Sequence, residues 1–153
     1  MGGPEAELTE CRMAEPLVAI SVKQPWAALI VAGLKTIEIR TWPTRRRGRV
    51  LIHAGKVPDE RPEGWSRIAT PELRAAAELR GGIVGAADVF GCKGYTVAKA
   101  FAADAELHLN DSTWFVPPRM YGFVLRNIIA VDFVPCPGQT LFFRVPEFRL
   151  GKS

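Results

Sequence analysis

The segment from Lys35 to Arg49 carries Lys35, Arg40, Arg45, Arg46, Arg47 and Arg49 against one carboxylate, Glu38, a net charge of +5 in fifteen residues. Arginines on a tight turn can aim several guanidinium groups at one nucleic-acid strand, and each phosphate neutralised releases counterions. The plainer reading is a solvated basic turn, because charged loops are common. Trp42, just before the turn, offers a face on which a base would stack for about 1–3 kcal/mol, or else packs as a core residue. Thr36, Glu38 and Arg40 alternate with Ile37 and Ile39, so the three polar side chains share one face of a strand. One reading makes Glu38 and Arg40 a surface ion pair worth at most ~1 kcal/mol. The other sets Glu38 in a cleft, accepting from the exocyclic amine of a base while Arg40 holds the carboxylate. Lys35, at the turn into that strand, is a phosphate anchor or, if desolvated, a base or nucleophile.

Lys23 stands at the start of a predicted helix, where the backbone dipole favours anions. A cation against that preference serves a ligand or is simply solvated. Trp114 and Phe115 lie in a Pro-rich loop, where they either pack or dock a protein partner. His53 reads as a hydrogen-bonded structural residue, and His108 has no metal-ligating neighbour in sequence. Gly81, Gly82 and Gly85 do not form a dinucleotide-binding pattern and read as a helix cap and a tight strand. Cys11, Cys92 and Cys136 are odd in number and widely spaced, so neither a zinc site nor any cofactor is expected, and a reducing cytoplasm is the natural compartment.

These residues need elements to position them. Leu17 to Val22 is a short apolar run that predicts a buried strand. A helix follows, with Pro25 at its first turn, Trp26, Leu29 and Ile30 on one face, and Gly33 as the left-handed stop. Ser21 and Gln24 have capping-box spacing, but that start would put Pro25 where an N–H is needed, so the later start is preferred. Thr36 to Thr41 and a third strand with Val50, Ile52 and Ala54 inward predict a hairpin-like pair joined by the basic turn. Lys56 to Ser66 reads as loop. Thr70 caps a helix with Pro71 first, running to Arg80 and Gly81. Ile83 to Phe90 predicts a strand in which Gly85, Ala86 and Ala87 leave room for a close neighbour. A short helix over Ala98 to Ala105 follows. Tyr121 to Leu125 and Ile128 to Val134 read as two strands or one interrupted strand, and Leu141 to Val145 as the last.

At 153 residues, 48% apolar and 24% charged, the chain fits one packed domain. Residues 1–15 read as a flexible acidic leader and 16–150 as the domain. The chain holds 14 Arg and 6 Lys, and arginine's planar fork suits phosphates and base edges. No apolar run approaches the ~20 residues of a membrane span, and the acidic start is unlike a secretion signal, so a soluble protein is expected. About six short strands with two or three inserted helices predict a small α+β barrel.

Two stretches carry a family resemblance. Ser21-Val22-Lys23-Gln24-Pro25-Trp26 and Gly33-Leu34-Lys35-Thr36-Ile37-Glu38-Ile39-Arg40-Thr41-Trp42 resemble the signature of ASCH domains, the homology region of activating signal cointegrator 1. Tyr121 to Leu125 and the Pro137-Gly138 turn before Leu141-Phe142-Phe143 agree more loosely, so the resemblance covers roughly residues 17 to 145. It implies a PUA-like β-barrel with a cleft between barrel and first helix, and recognition of RNA, single-stranded or with a modified base. On that footing Lys23, Gln24, Trp26, Lys35, Glu38, Arg40, Trp42, Arg45, Arg46, Arg47 and Arg49 are the candidate binding residues, with Trp26 or Trp42 stacking on a base. One bacterial branch resembles amidohydrolases of N4-acetylcytidine. Lys35, Thr36 and Arg40 match its turn, and Glu38 stands where that branch has a second threonine. The alternative it implies is a hydrolase of an acylated nucleoside or RNA, with Lys35 as base or nucleophile, Glu38 as proton shuttle and Thr36 as orienting hydroxyl.

Overall fold

The computed structural model describes residues 17–146. The leader expected over residues 1–15 and the end of the expected domain lie outside the described residues. Strands form at β1 (Leu17–Val22), β2 (Ile37–Arg40), β3 (Gly48–Ala54), β4 (Gly82–Tyr95), β5 (Met120–Pro135) and β6 (Phe142–Val145). They make one six-stranded sheet in the order β2-β5-β4-β3-β1-β6. β1 runs parallel to β3 and antiparallel to β6, and its apolar character reflects burial between those neighbours.

The long β4–β5 ribbon curls the sheet. Its register shifts at Ile83/Gly85, Ala86/Asp88 and Val89/Gly91, and such bulges bend a strand and increase its twist. β5 is one strand whose expected interruption is Asn127, at φ +52°. Gly85 is the close approach foreseen in the sequence, since a Cβ there would stand 2.6 Å from a methyl of Val31 and 2.7 Å from the Ile129 carbonyl oxygen.

The α+β class and six strands are as expected, but the hydrogen-bonded ladder is open, a half-barrel with β2 and β6 at its edges. Side chains bridge the remaining seam. Trp42 sets its ring edge-on to Phe123 of β5 and Phe142 of β6, with centroids 5.1 and 5.6 Å away. The expected β2–β3 hairpin is corrected. β2 pairs with β5, and β3 pairs with β4 and β1, so the basic segment is a crossing connection. The alternation of Ile37 and Ile39 fixed a strand but not its neighbour.

Five short helices occur among the described residues: α1 (Trp26–Val31), α2 (Pro62–Trp65), α3 (Pro71–Ala77), α4 (Ala98–Ala103) and α5 (Ala105–His108). α1 ends as predicted. Gly33 adopts φ +79°, and the N–H groups of Gly33 and Leu34 donate to the carbonyls of Ile30 and Leu29, the Schellman arrangement. The later helix start also holds, because Ser21 Oγ bonds His53 instead of capping the helix. α3 is capped by Thr70, whose Oγ1 accepts from Leu73 N at 3.1 Å, but it stops at Ala77, short of the expected Arg80. α2 is a single turn begun by Pro62 inside the expected loop. The helix expected over 98–105 divides at Asp104, whose carboxylate accepts from Tyr95 and Lys93. No helix among the described residues is long and apolar enough to cross a membrane.

α1 packs its buried face, including Trp26, Leu29 and Ile30, on Ile20, Ile52, Val84 and Phe123 in the principal core. Gln24 locks it to α3. Its amide nitrogen donates to the carbonyls of Ala76 and Leu79 at 3.0 and 2.8 Å, and its oxygen accepts from Ala28 N at 2.9 Å. The side chain is wholly buried, so Gln24→Leu would strand the Leu79 carbonyl and the Ala28 N–H and leave the Ala76 carbonyl with only its bond from Leu79 N. We expect that substitution to cost roughly 3 kcal/mol in urea unfolding, and a loss below about 1 kcal/mol would show that Gln24 does not join the helices.

Candidate functional site

A cleft of about 820 Å³ opens along the unclosed seam. β1 supplies Ser21 and Val22 to its lining, β2 and its extension supply Glu38 to Trp42, α1 supplies Trp26, and the connections supply Asp59, Arg61, Asn110, Trp114 and residues 139–141. Of the charged residues lining it, Lys23, Lys35, Arg40 and Arg61 are cations, while Glu38 and Asp59 are carboxylates.

Arg40 reaches from edge strand β2 across the seam to the end of β1, past the last residue that β6 pairs. Its Nη2 donates to Glu38 Oε2 at 2.7 Å and to the Ser21 carbonyl at 2.8 Å, while Nε donates to the same Glu38 oxygen at 3.1 Å. Glu38 is only 8% exposed, so this pair is not a surface ion pair on a solvated strand face. Its other oxygen, Oε1, lies 3.7 Å from Lys35 Nζ, beyond hydrogen-bond reach and open to a donor in the cleft.

Lys35 is 1% exposed. Its Nζ donates to Asn110 Oδ1 at 2.8 Å and to the His108 carbonyl, and it lies 4.9 Å from the Trp26 ring centroid. Burial pushes its pKa from 10.5 down to about 8; the Glu38 carboxylate pulls it back up and Arg40 adds to the lowering. The cradle is made by a backbone reversal: Leu109, at φ +63°, lets His108 turn its carbonyl and Asn110 its side chain to the ammonium. A non-glycine residue in that region costs roughly 1–2 kcal/mol. His108 is fixed by both ring nitrogens, with Nε2–H donating to the Phe101 carbonyl at 2.7 Å and Nδ1 accepting from Asn110 N at 3.0 Å. That tautomer is neutral, and burial lowers the histidine's pKa accordingly.

Three tryptophans wall the cleft. Trp26 is 4% exposed, donates from Nε1 to Asp59 Oδ2 at 2.8 Å, and has Gly64 pressed behind its ring. Trp114 meets it edge-on at 5.7 Å, with Arg61 stacked over Trp114 at 3.9 Å, so Trp114 is a wall and not a projecting hook. Its Nε1–H is buried without a partner. Trp42 is half-buried on the opposite side.

The other candidates disperse. Lys23 lines the cleft and is exposed. Gln24 does not line it, because its amide is consumed between α1 and α3. Thr36 also lies outside the lining, its backbone tying β2 to Leu107 and Leu125. Arg45, Arg46 and Arg47 are exposed on the crossing connection, with Arg46 over the Phe142 ring at 5.3 Å. Arg49 is turned elsewhere, ion-paired to Asp88 at 3.4 Å and donating to the Asn127 carbonyl. His53 is structural, bonded to Ser21 Oγ and to the Cys136 carbonyl. Sequence reasoning missed Asp59, Arg61 and Asn110, none of which sits in a periodic element. Among the described residues no group of three His, Cys, Asp or Glu side chains gathers to hold a metal ion.

The ASCH domain family model matches residues 20–131. Activating signal cointegrator 1 of Mus musculus is 37% identical over 82 residues, which is 48% of this chain and 14% of the mouse protein. The Homo sapiens protein of that name is 54% identical over 35 residues, 23% of this chain and 6% of its own length. The chain thus matches a small part of these longer relatives. The crystal structure of ASCH from Zymomonas mobilis superposes with a TM-score of 0.57 at 17% identity, covering 85% of this chain and 87% of that one. A single-substitution mutant of the same protein gives 0.56 at 17% identity, covering 85% and 90%. At that identity the likeness speaks for the fold alone, an α+β half-barrel.

The Lys35 geometry has a titration signature. Its pKa is lower in the folded than in the unfolded chain, so the folded state binds fewer protons between pH 8 and 10.5. The cost of burying the cation is therefore present in full below pH 8 and fades as pH rises through that window. NMR titration of the Lys35 side chain should give a midpoint near 8, and Glu38→Gln should lower it further by removing the charge that holds it up. A midpoint near 10.5 would mean that Nζ is solvated.

Proposed function

This chain belongs to the ASCH domain family, and from that premise we propose that it binds single-stranded RNA or a modified nucleobase, with a base in the seam cleft and phosphates on the basic connection. The observation that carries the reading is Glu38, a carboxylate gripped by Arg40 inside a cleft of about 820 Å³ with one oxygen left open. Such an oxygen accepts from an exocyclic amine. Stacking falls to Trp42, because Trp26 is buried and already engaged with Asp59 and Trp114. Arg45, Arg46 and Arg47 meet phosphates, Arg46 lying over a ring that touches Trp42. Lys23 and Arg61 add positive charge along the lining. The expected compartment is the cytoplasm, where an RNA ligand is met. Replacing Arg45, Arg46 and Arg47 by alanine should flatten the dependence of log affinity on log salt by up to ~2 for a single strand, since each phosphate contact contributes about 0.7. An unchanged slope would remove the connection from the interface.

A second reading is favoured by Lys35, whose pKa of about 8 suits a general base or nucleophile. It makes the domain a hydrolase of an acylated nucleoside or RNA, with Lys35 as base or nucleophile and Glu38 as proton shuttle. Turnover of N4-acetylcytidine or RNA should then fall at least about a hundredfold in Lys35→Ala, because positioned acid or base groups contribute 10²–10⁴. Absence of turnover by the intact protein on both substrates would leave binding as the function.

A further inference from the structure

A second cavity, of about 450 Å³, lies beside the cleft and shares Ser21, Gln139 and Thr140 with it. Ser21 is the partition. Its carbonyl accepts from Arg40 on the cleft side, while its hydroxyl bonds His53 Nδ1 at 2.9 Å on the other. His53 also holds the far wall, through its bond to the Cys136 carbonyl and its contact with Gly138, where a Cβ would come within 2.7 Å of the ring. The partition is thus rigid, and the two spaces meet over Gln139 and Thr140, both exposed.

The second cavity differs from the cleft in chemistry. It has no aromatic wall beyond His53, and no carboxylate lines it. Its one permanent charge is Lys56, exposed, with its stem along Gly81 and in no ion pair among the described residues. A lone cation with hydroxyl and amide neighbours suits a phosphodiester, and the volume lies in the range of nucleotide-sized sites. Two residues beyond Thr140, Phe142 carries Arg46 over its ring, so a second cation lies near the end of the segment that Lys56's cavity shares with the cleft.

We infer that this domain takes a strand of at least two linked nucleotides and not a free nucleoside, the unit next to the bound base lying in the second cavity with its phosphate on Lys56. The inference rests on the base-in-cleft reading above. Its test compares the four RNA homotetramers with the four ribonucleosides on the full chain. The tetramers should bind more tightly, and Lys56→Glu should weaken them about tenfold while leaving nucleoside binding unchanged. Lys56→Ala should lower the salt slope for tetramers by about 0.7. Tetramers, but not nucleosides, should shift the backbone amide resonances of Gly55, Gly81 and Gly138. If Trp42→Ala weakens both ligand types while Lys56→Glu changes neither, the cleft reading stands and this inference falls. Equal affinity for tetramers and nucleosides also overturns it. If neither ligand type binds the intact protein, both fall.

Discussion

One guanidinium holds the site together. Arg40 reaches from β2 to the Ser21 carbonyl of β1 while gripping Glu38 beside it, and it does so across a seam that no backbone ladder closes. A fully laddered barrel would leave no slot between these strands. A seam without a bridge would leave Glu38 without its partner. The cleft therefore exists because the sheet stops one pairing short and side chains finish it: Arg40 at the polar end, and Trp42 against Phe123 and Phe142 at the apolar end.

Lys35 shows what the enclosure costs and what it makes available. A buried ammonium is tolerated only with partners, and its partners are a carbonyl, a side-chain amide and a carboxylate at ion-pair but not hydrogen-bond distance. A closer carboxylate would hold the proton more firmly. At 3.7 Å, Glu38 offsets only part of the desolvation, so the group stays near the range where lysine gives up its proton. The same spacing leaves room at Glu38 for another donor, which is why binding and chemistry are both readable from one arrangement.

Local signals in the sequence were reliable where local physics decides. Gly33 after an apolar helix face, Thr70 before Pro71, and the apolar run of β1 each declared their element. The Glu38–Arg40 pairing was also legible, because alternate residues of a strand share a face. Partners across the sheet were not. Ile37 and Ile39 predict a strand equally well beside β3 or beside β5, and only the packed whole decides. Gln24 misled for a related reason: its polarity serves the end of α3, fifty residues onward, and nothing near it says so. The cradle of Lys35 is a carbonyl and an asparagine presented by a left-handed leucine, and a backbone carbonyl leaves no mark in residue types.

The β1–β6 pairing, Leu17 opposite Val145, has a consequence for how the molecule can be made and divided. The ribbon of β4 and β5 is antiparallel and pairs directly with neither end strand β1 nor β6, yet it contributes none of the charged groups of the cleft. Those come from β2 and from the connections between Lys23 and Arg61, while uncharged lining residues come from 110–120 and 139–141, on the other sides of the ribbon strands. Contacts that close long loops come late in folding, since their entropy must be met before they reward the chain. The site accordingly depends on contacts between segments far apart in the chain. No contiguous fragment carries it, and a nascent chain has no cleft until the segment leading into β6 has emerged and docked beside the first strand made.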